Sequence, residues 1–213
     1  MNRTDMPASI AQAIGWLNEH SRSDAKWMLG GSCSLLLQGV NLDQTPRDID
    51  IYADTEDAIE LRECWKAAAV DDAVWDQTAM YHSLLSHYDC HHCSIELVGQ
   101  FVVSTEWCCY ATRIASVLWH YQVNGFIDGM QVPLLPLAHE LAFNLLRARE
   151  DRVLAIAAVM NEHPEQHIAA MKAVLAQCEP SSAMRTKVIK VVPSFGPLLK
   201  QDTAGDRNEG VER

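Results

Sequence analysis

The segment that decides the fold spans residues 26–53 and reads KWMLGGSCSLLLQGVNLDQTPRDIDIYA. Lys26 is followed by three apolar residues, Trp27, Met28 and Leu29. This run predicts a buried strand over residues 26–29 that stops at Gly30-Gly31. Ser32 is placed to cap a helix over residues 33–38, because a serine side chain can accept a hydrogen bond from a helix N-terminus. This part of the chain therefore predicts a strand, a glycine turn and a helix.

The second half of the same segment carries two acidic residues in a strand pattern. Asp48–Ala53 alternates polar and apolar residues, which is typical of a half-buried strand. Residues two apart on a strand face the same side, so Asp48 and Asp50 present their carboxylates together, about 6 to 7 Å apart along the backbone. Two such carboxylates are costly unless a cation lies between them. Glu96, within a later strand pattern over residues 94–98, offers a third carboxylate.

Three carboxylates of this kind suit a hard divalent cation. Mg²⁺ prefers oxygen ligands and is commonly held by one or two carboxylates together with substrate phosphates. Asp48, Asp50 and Glu96 therefore form a candidate two-metal site, in which one ion holds a triphosphate and the other lowers the pKa of an attacking hydroxyl. The glycine turn adds a phosphate-binding element, because its backbone N–H groups can approach phosphate oxygens closely and Ser32 can add a hydroxyl.

The order of these features resembles the nucleotidyltransferase superfamily, the group with the DNA polymerase β-like palm that includes tRNA CCA-adding enzymes and antibiotic and toxin nucleotidyltransferases. Two stretches carry the resemblance: the apolar-Gly-Gly-Ser turn with a helix ending in Leu-x-Gly at residues 29–39, and the Thr-x-x-Asp-apolar-Asp strand at residues 45–51. It covers residues 26–100. It implies an α/β (α+β) fold, with a small mixed sheet flanked by helices and followed by a C-terminal helical part.

The resemblance also implies an activity, the Mg²⁺-dependent transfer of a nucleoside monophosphate from an NTP to a hydroxyl acceptor. Asp48, Asp50 and Glu96 would be catalytic and bind the metal, with Glu96 helping to activate the acceptor. The residues expected to bind the nucleotide phosphates are Gly30, Gly31, Ser32, Arg47 and Arg147. Many small members carry a lysine for the triphosphate on the first helix of the helical part. The comparable residue here is Asn144, with Arg147 one turn later as a substitute.

The pattern of the whole chain predicts three parts, a nucleotidyltransferase-like catalytic domain over residues 1–135, a helical region over residues 136–200 and a disordered tail over residues 201–213. Hydrophobic spacing and turn signals predict helices at 7–20, 55–70, 137–150, 151–162, 164–177 and 182–192, with a break at 193–197. The same signals predict a hairpin within residues 79–103 that turns at residues 88–91, and a strand at residues 131–135.

The charge of the chain bears on its partners. A net charge of -11 over 213 residues argues against a protein whose main affinity comes from neutralising nucleic-acid phosphates. An acidic cleft instead favours a cationic small acceptor such as an antibiotic. A toxin-type enzyme that acts on protein or tRNA stays open, and so does an inactive nucleotide-binding or interaction module of a toxin-antitoxin pair. A homodimer or a partner protein is also left open.

The cysteines and the apolar runs bear on location. The seven cysteines are an odd number and include the adjacent Cys108-Cys109, which suits free thiols in a reducing cytosol. Neither a secretory signal nor an apolar run of membrane-spanning length is evident, so a cytoplasmic protein is expected. The Cys-x-x-Cys spacing of Cys90 and Cys93 leaves a zinc site as an alternative to a hairpin tip with small buried thiols.

Overall fold

The computed structural model describes residues 6–200 of the chain. A mixed β-sheet forms its centre, and the strands of the described residues are β1 (Trp27–Gly30), β2 (Asp48–Ala53), β3 (Val74–Gln77), β4 (Tyr81–Cys90), β5 (Cys93–Ser104), β6 (Cys109–Ala111), β7 (Val123–Ile127), β8 (Met130–Leu134) and β9 (Cys178–Glu179). The main sheet has the order β3-β4-β5-β2-β1-β8-β7. Strand β2 runs parallel to β5 and β1 runs parallel to β8, whereas the other neighbours are antiparallel.

Helices cover both faces of this sheet. Their bounds are α1 (Ala8–His20), α2 (Gly31–Leu37), α3 (Thr55–Cys64), α4 (Leu137–Leu146), α5 (Glu150–Glu162), α6 (Pro164–Ala176), α7 (Ser181–Val191) and α8 (Phe195–Lys200). The predicted mixed sheet flanked by helices and followed by a helical part is confirmed. Among the described residues, none of these helices is long and apolar enough to cross a membrane.

The alternation of β2 divides the apolar core between the two faces of the sheet. Ile49 and Ile51 pack on one face with Ile14 and Leu17 of α1. Tyr52 lies on the other face, in a larger cluster that contains buried side chains of the helices from α4 to α8. Because that cluster joins side chains before and after residue 135, the two predicted parts share one core. The division at residues 135 and 136 stays a prediction.

Several boundaries differ from those predicted, and each difference has a local cause. Ser32 does not cap α2, because the helix already begins at Gly31 and Gly30 is its N-cap residue. The helix predicted over residues 55–70 ends at Cys64 and continues only as a short 3-10 turn. The predicted break after residue 192 is present because α7 ends at Val191, but it is shorter than predicted, since α8 begins at Phe195, whose side chain is fully buried.

The hairpin of β4 and β5 confirms the predicted pairing but turns later than expected. Its tip consists of His91 and His92, which have φ angles of 52° and 60°. Two successive left-handed residues match the right-handed twist of the strands that they join. Strands β3 and β7 were not predicted. The predicted disordered tail over residues 201–213 lies outside the described residues.

Candidate active site

Strand register brings the three predicted carboxylates to one face of the sheet. Asp50 on β2 lies opposite Gly30 of β1 on one side and opposite Glu96 of β5 on the other. Ile49 and Ile51 point into the core on the opposite face, so Asp48 and Asp50 share the face that carries Tyr52. Residues 46 positions apart in the chain thus meet as neighbours on adjacent strands.

A cleft of about 440 Å³ lies over this face, between the sheet and the helical region. The sheet contributes mostly carboxylates and aromatic or small side chains, and the helices contribute three arginines. Its lining residues include Gly31, Ser32, Asp48, Asp50, Tyr52, Asp76, Tyr81, Glu96, Glu140, Asn144, Arg147, Arg149 and Arg152. The cleft therefore carries negative charge on the sheet and positive charge on the helices.

The Asp50 carboxyl lies in an environment that disfavours its charged form. Burial, the negative charges of Asp48 and Glu96, and a hydrogen bond with Glu96 together raise its pKa to about 7. Near neutral pH a carboxyl with such a pKa is protonated in part of the molecules, because burial and the neighbouring carboxylates both disfavour its charged form. A cation bound between these groups would relieve the same repulsion. The donor set therefore fits a hard divalent metal ion.

Glu96 is reachable from the cleft and has a second polar neighbour. Its side chain is 40% exposed, and its Oε1 atom lies 3.7 Å from Nε2 of His87, the residue opposite it on β4. The other ring nitrogen of His87 pairs with the carboxylate of Asp71. The ring is thereby held in place beside the Glu96 carboxylate.

The glycine turn packs directly against Asp50. Gly31 has a φ angle of 57°, in the left-handed region, and a Cβ atom built on it would lie 1.8 Å from Oδ2 of Asp50. Only glycine combines that backbone conformation with this close approach. The requirement for glycine at this position comes from the carboxylate beside it.

Glu140 of α4 fixes the same turn from the helical side. Its side chain is only 1% exposed, and its Oε1 atom accepts a hydrogen bond of 2.8 Å from the backbone N–H of Gly31. Burial raises the pKa of Glu140 to about 8, although the Gly31 hydrogen bond, Arg152 and Arg147 act in the opposite direction. The first turn of α2 and the start of α4 are therefore joined by a buried polar contact.

The arginines of the cleft have different partners. Arg152 donates a hydrogen bond of 2.8 Å from Nη2 to Oγ of Ser32. The guanidinium carbon of Arg147 lies 4.7 Å from the centre of the Phe143 ring. Arg149 is bound by Asp151 through two hydrogen bonds of 3.0 and 2.8 Å. Arg152 thus reaches the glycine turn, whereas the charge of Arg149 is already compensated.

The amino-acid sequence matches the model of the aminoglycoside-2''-adenylyltransferase family over residues 15–152. The matched part contains the glycine turn, the three carboxylates and the arginines of the cleft. The chain belongs to this family. The predicted membership in the nucleotidyltransferase superfamily and the predicted enzyme class are therefore confirmed. A search of curated proteins finds no match.

A solved structure with a TM-score above 0.5 shows the same fold. A Thermotoga maritima protein described as a nucleotidyltransferase is 20% identical, with a TM-score of 0.61, and the match covers 76% of this chain and 100% of that protein. The antibiotic-resistance factor ANT(2'')-Ia is 12% identical with a TM-score of 0.48, and the match covers 96% of this chain and 100% of that protein. The lincosamide antibiotic adenylyltransferase LnuA is 9% identical with a TM-score of 0.42, covering 73% and 98% of the two chains.

The structure places most of the predicted site residues of this family member around one cleft. Those that line it are Gly31, Ser32, Asp48, Asp50, Glu96 and Arg147. Arg47 is exposed and does not line the cleft. Gly30 lies outside the lining as well, with its Cα packed against the ring of Tyr52. Whether the residues that line the cleft act in catalysis stays a prediction.

Two residues with direct contacts to the glycine turn, Glu140 and Arg152, were not among the predicted site residues. Glu140 follows the Pro-Leu segment that opens the helical part, and Arg152 belongs to a short run rich in arginine, so each carried a weak signal. Asn144 does line the cleft, but its side-chain amide donates a hydrogen bond of 2.8 Å to the carbonyl oxygen of Glu140 in its own helix. Its amide is therefore engaged within α4.

Within residues 6–200, no group of three or more His, Cys, Asp or Glu side chains is arranged to hold a metal ion. Asp48, Asp50 and Glu96 line one cleft, and a hydrogen bond joins Asp50 to Glu96, but the three side chains do not form a closed ligand cluster. Cys90 and Cys93 lie opposite each other in the register of β4 and β5 as free thiols. Burial raises the pKa of both.

Proposed function

We propose that this protein transfers a nucleoside monophosphate from an NTP to a hydroxyl group of a cationic antibiotic of the aminoglycoside class. The observation that carries this proposal is the group of three carboxylates, Asp48, Asp50 and Glu96, on adjacent strands beside the Gly31 turn in one cleft. The family description supports an adenylyl group, and hence ATP, as the donor. Transfer of this type depends on positioning and on neutralising phosphate charge, which such a cleft can supply.

Mg²⁺ would be held by Asp48, Asp50 and Glu96, because these groups supply hard oxygen ligands, and burial together with the charges of Asp48 and Glu96 raises the pKa of Asp50. When bound, the metal would neutralise phosphate charge and lower the pKa of the acceptor hydroxyl. Burial of Asp50 beside Gly31 keeps that carboxylate in one orientation. The two aspartates are therefore the main positioning groups on the sheet wall.

The protein groups around the reacting phosphate have separate tasks. Glu96 is half-exposed in the cleft, so its carboxylate can take the proton of the acceptor hydroxyl. The hydroxyl oxygen then attacks the α-phosphorus, and the bond to the leaving pyrophosphate breaks. Ser32 and Arg147 offer donors to the phosphate oxygens, since both line the same cleft. Gly31 has no Cβ atom, so its backbone can lie directly against the carboxylate of Asp50.

The proposed acceptor is a small polycation. The net charge of -11 attracts cations at long range, and Asp76 on β3 adds a carboxylate to the cleft beyond the three proposed ligands. We also propose that residues 1–135 form the catalytic part and that residues 136–200 close the cleft over the nucleotide. The arginines of α5 and its preceding turn belong to that second part.

The test is pyrophosphate release from each NTP in turn, with Mg²⁺ and with tobramycin, lincomycin or total tRNA as the acceptor. The wild-type protein is expected to release pyrophosphate with ATP and tobramycin. Asp48→Asn and Asp50→Asn should each lower that rate at least about 100-fold. Asp89→Asn is the matched control, because Asp89 is exposed on the hairpin and the change in charge is identical.

The outcomes separate the candidate functions. Turnover with tRNA or a protein acceptor but not with tobramycin would indicate a toxin-type enzyme. Binding of an NTP without turnover on any acceptor would indicate an inactive nucleotide-binding module. Full activity of Asp50→Asn would contradict the site itself, since the proposed reaction depends on that carboxylate.

A further inference from the structure

Strand β4 carries a histidine in the same row as two of the proposed metal ligands. His87 on β4 lies opposite Glu96 on β5, and Glu96 lies opposite Asp50 on β2. Residues directly opposite each other on neighbouring strands project from the same face, with Cβ atoms about 4.5 to 5.5 Å apart. His87 therefore stands on the face that carries these carboxylates, beside the cleft that Glu96 lines.

Asp71 holds both the backbone and the ring of His87. Its Oδ1 atom accepts a hydrogen bond of 2.8 Å from the backbone N–H of His87, and its Oδ2 atom pairs with Nδ1 of the ring. Because a carboxylate only accepts hydrogen bonds, Nδ1 carries the hydrogen of that pair. In the neutral ring Nε2 then has a lone pair and no hydrogen, and Nε2 is the nitrogen that faces Glu96.

Nε2 of His87 and the carboxylate of Glu96 face each other as two electron-pair donors. Nε2 lies 3.7 Å from Oε1, which is too long for a hydrogen bond. Bonds from a transition-metal ion such as zinc to imidazole nitrogen or carboxylate oxygen are about 2.0 to 2.2 Å long, so donors up to about 4.2 Å apart can share an ion. Both side chains are 40% exposed, so an ion can enter from solvent. The two atoms are therefore close enough, and accessible enough, to share one cation.

We propose that His87 and Glu96 together bind one divalent transition-metal ion beside the reacting groups. This inference rests on the proposed function, because Glu96 is one of its metal ligands, and it adds a nitrogen ligand that changes the metal preference. Imidazole suits transition metals, whereas Mg²⁺ takes oxygen ligands. A metal-bound histidine almost always donates its other ring N–H to a carboxylate, a carbonyl or water, as His87 does to Asp71. Water or phosphate oxygens would occupy the remaining positions around the ion.

The test measures binding of Mn²⁺ alone to the full chain by electron paramagnetic resonance, and binding of Mg²⁺ by its competition with Mn²⁺. His87→Gln removes the ring nitrogen and should weaken Mn²⁺ binding about 10-fold or more, with a change of less than about threefold for Mg²⁺. Asp71→Asn should weaken Mn²⁺ binding about 10-fold, because the ring loses the carboxylate that orients it. Pulsed resonance on the Mn²⁺-bound wild type should show coupling to a nitrogen nucleus, and His87→Gln should lose that coupling.

Two variants make the same chemical changes away from the proposed ion. His20→Gln alters an exposed histidine on α1 whose Nδ1 atom bonds the backbone carbonyl of Trp16. Asp72→Asn alters the residue next to Asp71, whose carboxylate pairs instead with Arg62 at 2.7 Å. Both variants should keep the wild-type affinities for Mn²⁺ and Mg²⁺ within about threefold.

An equal loss of Mn²⁺ and Mg²⁺ affinity in His87→Gln would indicate a structural effect alone and would overturn the inference. So would an unchanged Mn²⁺ affinity in that variant, or a wild-type protein that binds no Mn²⁺ or shows no nitrogen coupling. If the nitrogen coupling depends on His87 but no acceptor is modified, the inference holds and the proposed function fails. If tobramycin is modified while His87→Gln binds Mn²⁺ as the wild type does, the proposed function stands and the inference fails.

Discussion

The most direct test of the site geometry is a single methyl group at the glycine turn. Gly31→Ala would place a Cβ atom 1.8 Å from Oδ2 and 2.8 Å from Cγ of Asp50, at a φ angle of 57°. Gly39→Ala is the matched control, because Gly39 has a φ angle of 80° and a Cβ atom there would have nothing within 4 Å. Both variants carry a similar backbone penalty. Gly31→Ala alone carries the collision with the carboxylate.

The magnitudes follow from these two geometries. A left-handed alanine costs roughly 1 to 2 kcal/mol, which is the whole expected effect at Gly39. At Gly31 the new methyl group and the carboxylate must separate by more than about 1 Å, and Asp50 lies on a strand that is paired on both sides. The carboxylate must therefore leave its rotamer, which costs about 1 kcal/mol more. A displacement of about 1 Å at a reacting centre lowers the rate roughly 100-fold.

Two measurements check this prediction, denaturant unfolding for stability and pyrophosphate release for activity. Gly39→Ala should lose about 1 to 2 kcal/mol and keep its rate. Gly31→Ala should lose about 1 kcal/mol more than Gly39→Ala and show a rate at least about 100-fold lower. If the two variants lose the same stability and both keep the wild-type rate, contact between Gly31 and Asp50 does not control the site.

Two further predictions concern buried carboxyl groups and use the same unfolding assay. The pKa of Asp50 is raised to about 7 in the folded state, so its stability contribution is greatest at low pH and falls as the pH rises towards 7. Asp50→Asn should therefore be more stable than wild type at pH 8 by about 1 to 2 kcal/mol without metal, and lose that advantage at pH 4. The pKa of Glu140 is raised to about 8. Glu140→Gln keeps an acceptor for the Gly31 N–H and should gain stability relative to wild type above pH 8, and equal stabilities at pH 9 would contradict the assignment.

Local patterns predicted the centre of the fold well. The alternation of Asp48–Ala53 is a property of consecutive residues, and β2 has the predicted bounds because each apolar position points into a core. Strands β3 and β7 gave no comparable pattern. Trp75 in β3 is 52% exposed and Phe126 in β7 is 63% exposed, so apolar residues there do not mark a buried face. Those edge strands form because their neighbours offer unpaired backbone groups.

The sequence likewise predicted only those parts of the candidate site that depend on neighbouring residues. Asp48 and Asp50 were predictable because strand periodicity places both carboxylates on one face. The contact between Glu140 and Gly31 joins residues 109 positions apart, and that between Arg152 and Ser32 joins residues 120 positions apart. Hydrophobic periodicity describes residues close together in the chain and does not predict contacts between residues this far apart. It depends on how α4 and α5 pack against the sheet.

The two walls of the cleft differ in charge, with carboxyl groups on the sheet and arginines on the helical side. On the sheet, burial and the charges of Asp48 and Glu96 raise the pKa of Asp50 to about 7. On the helical wall, Arg147 and Arg152 line the cleft and both act on the buried carboxyl of Glu140. Under the proposed function, a metal ion would be held on the sheet wall and the nucleotide phosphates would face the arginines of the helical wall. The proposed metal-nucleotide substrate would therefore meet carboxylates on one wall and guanidinium groups on the other.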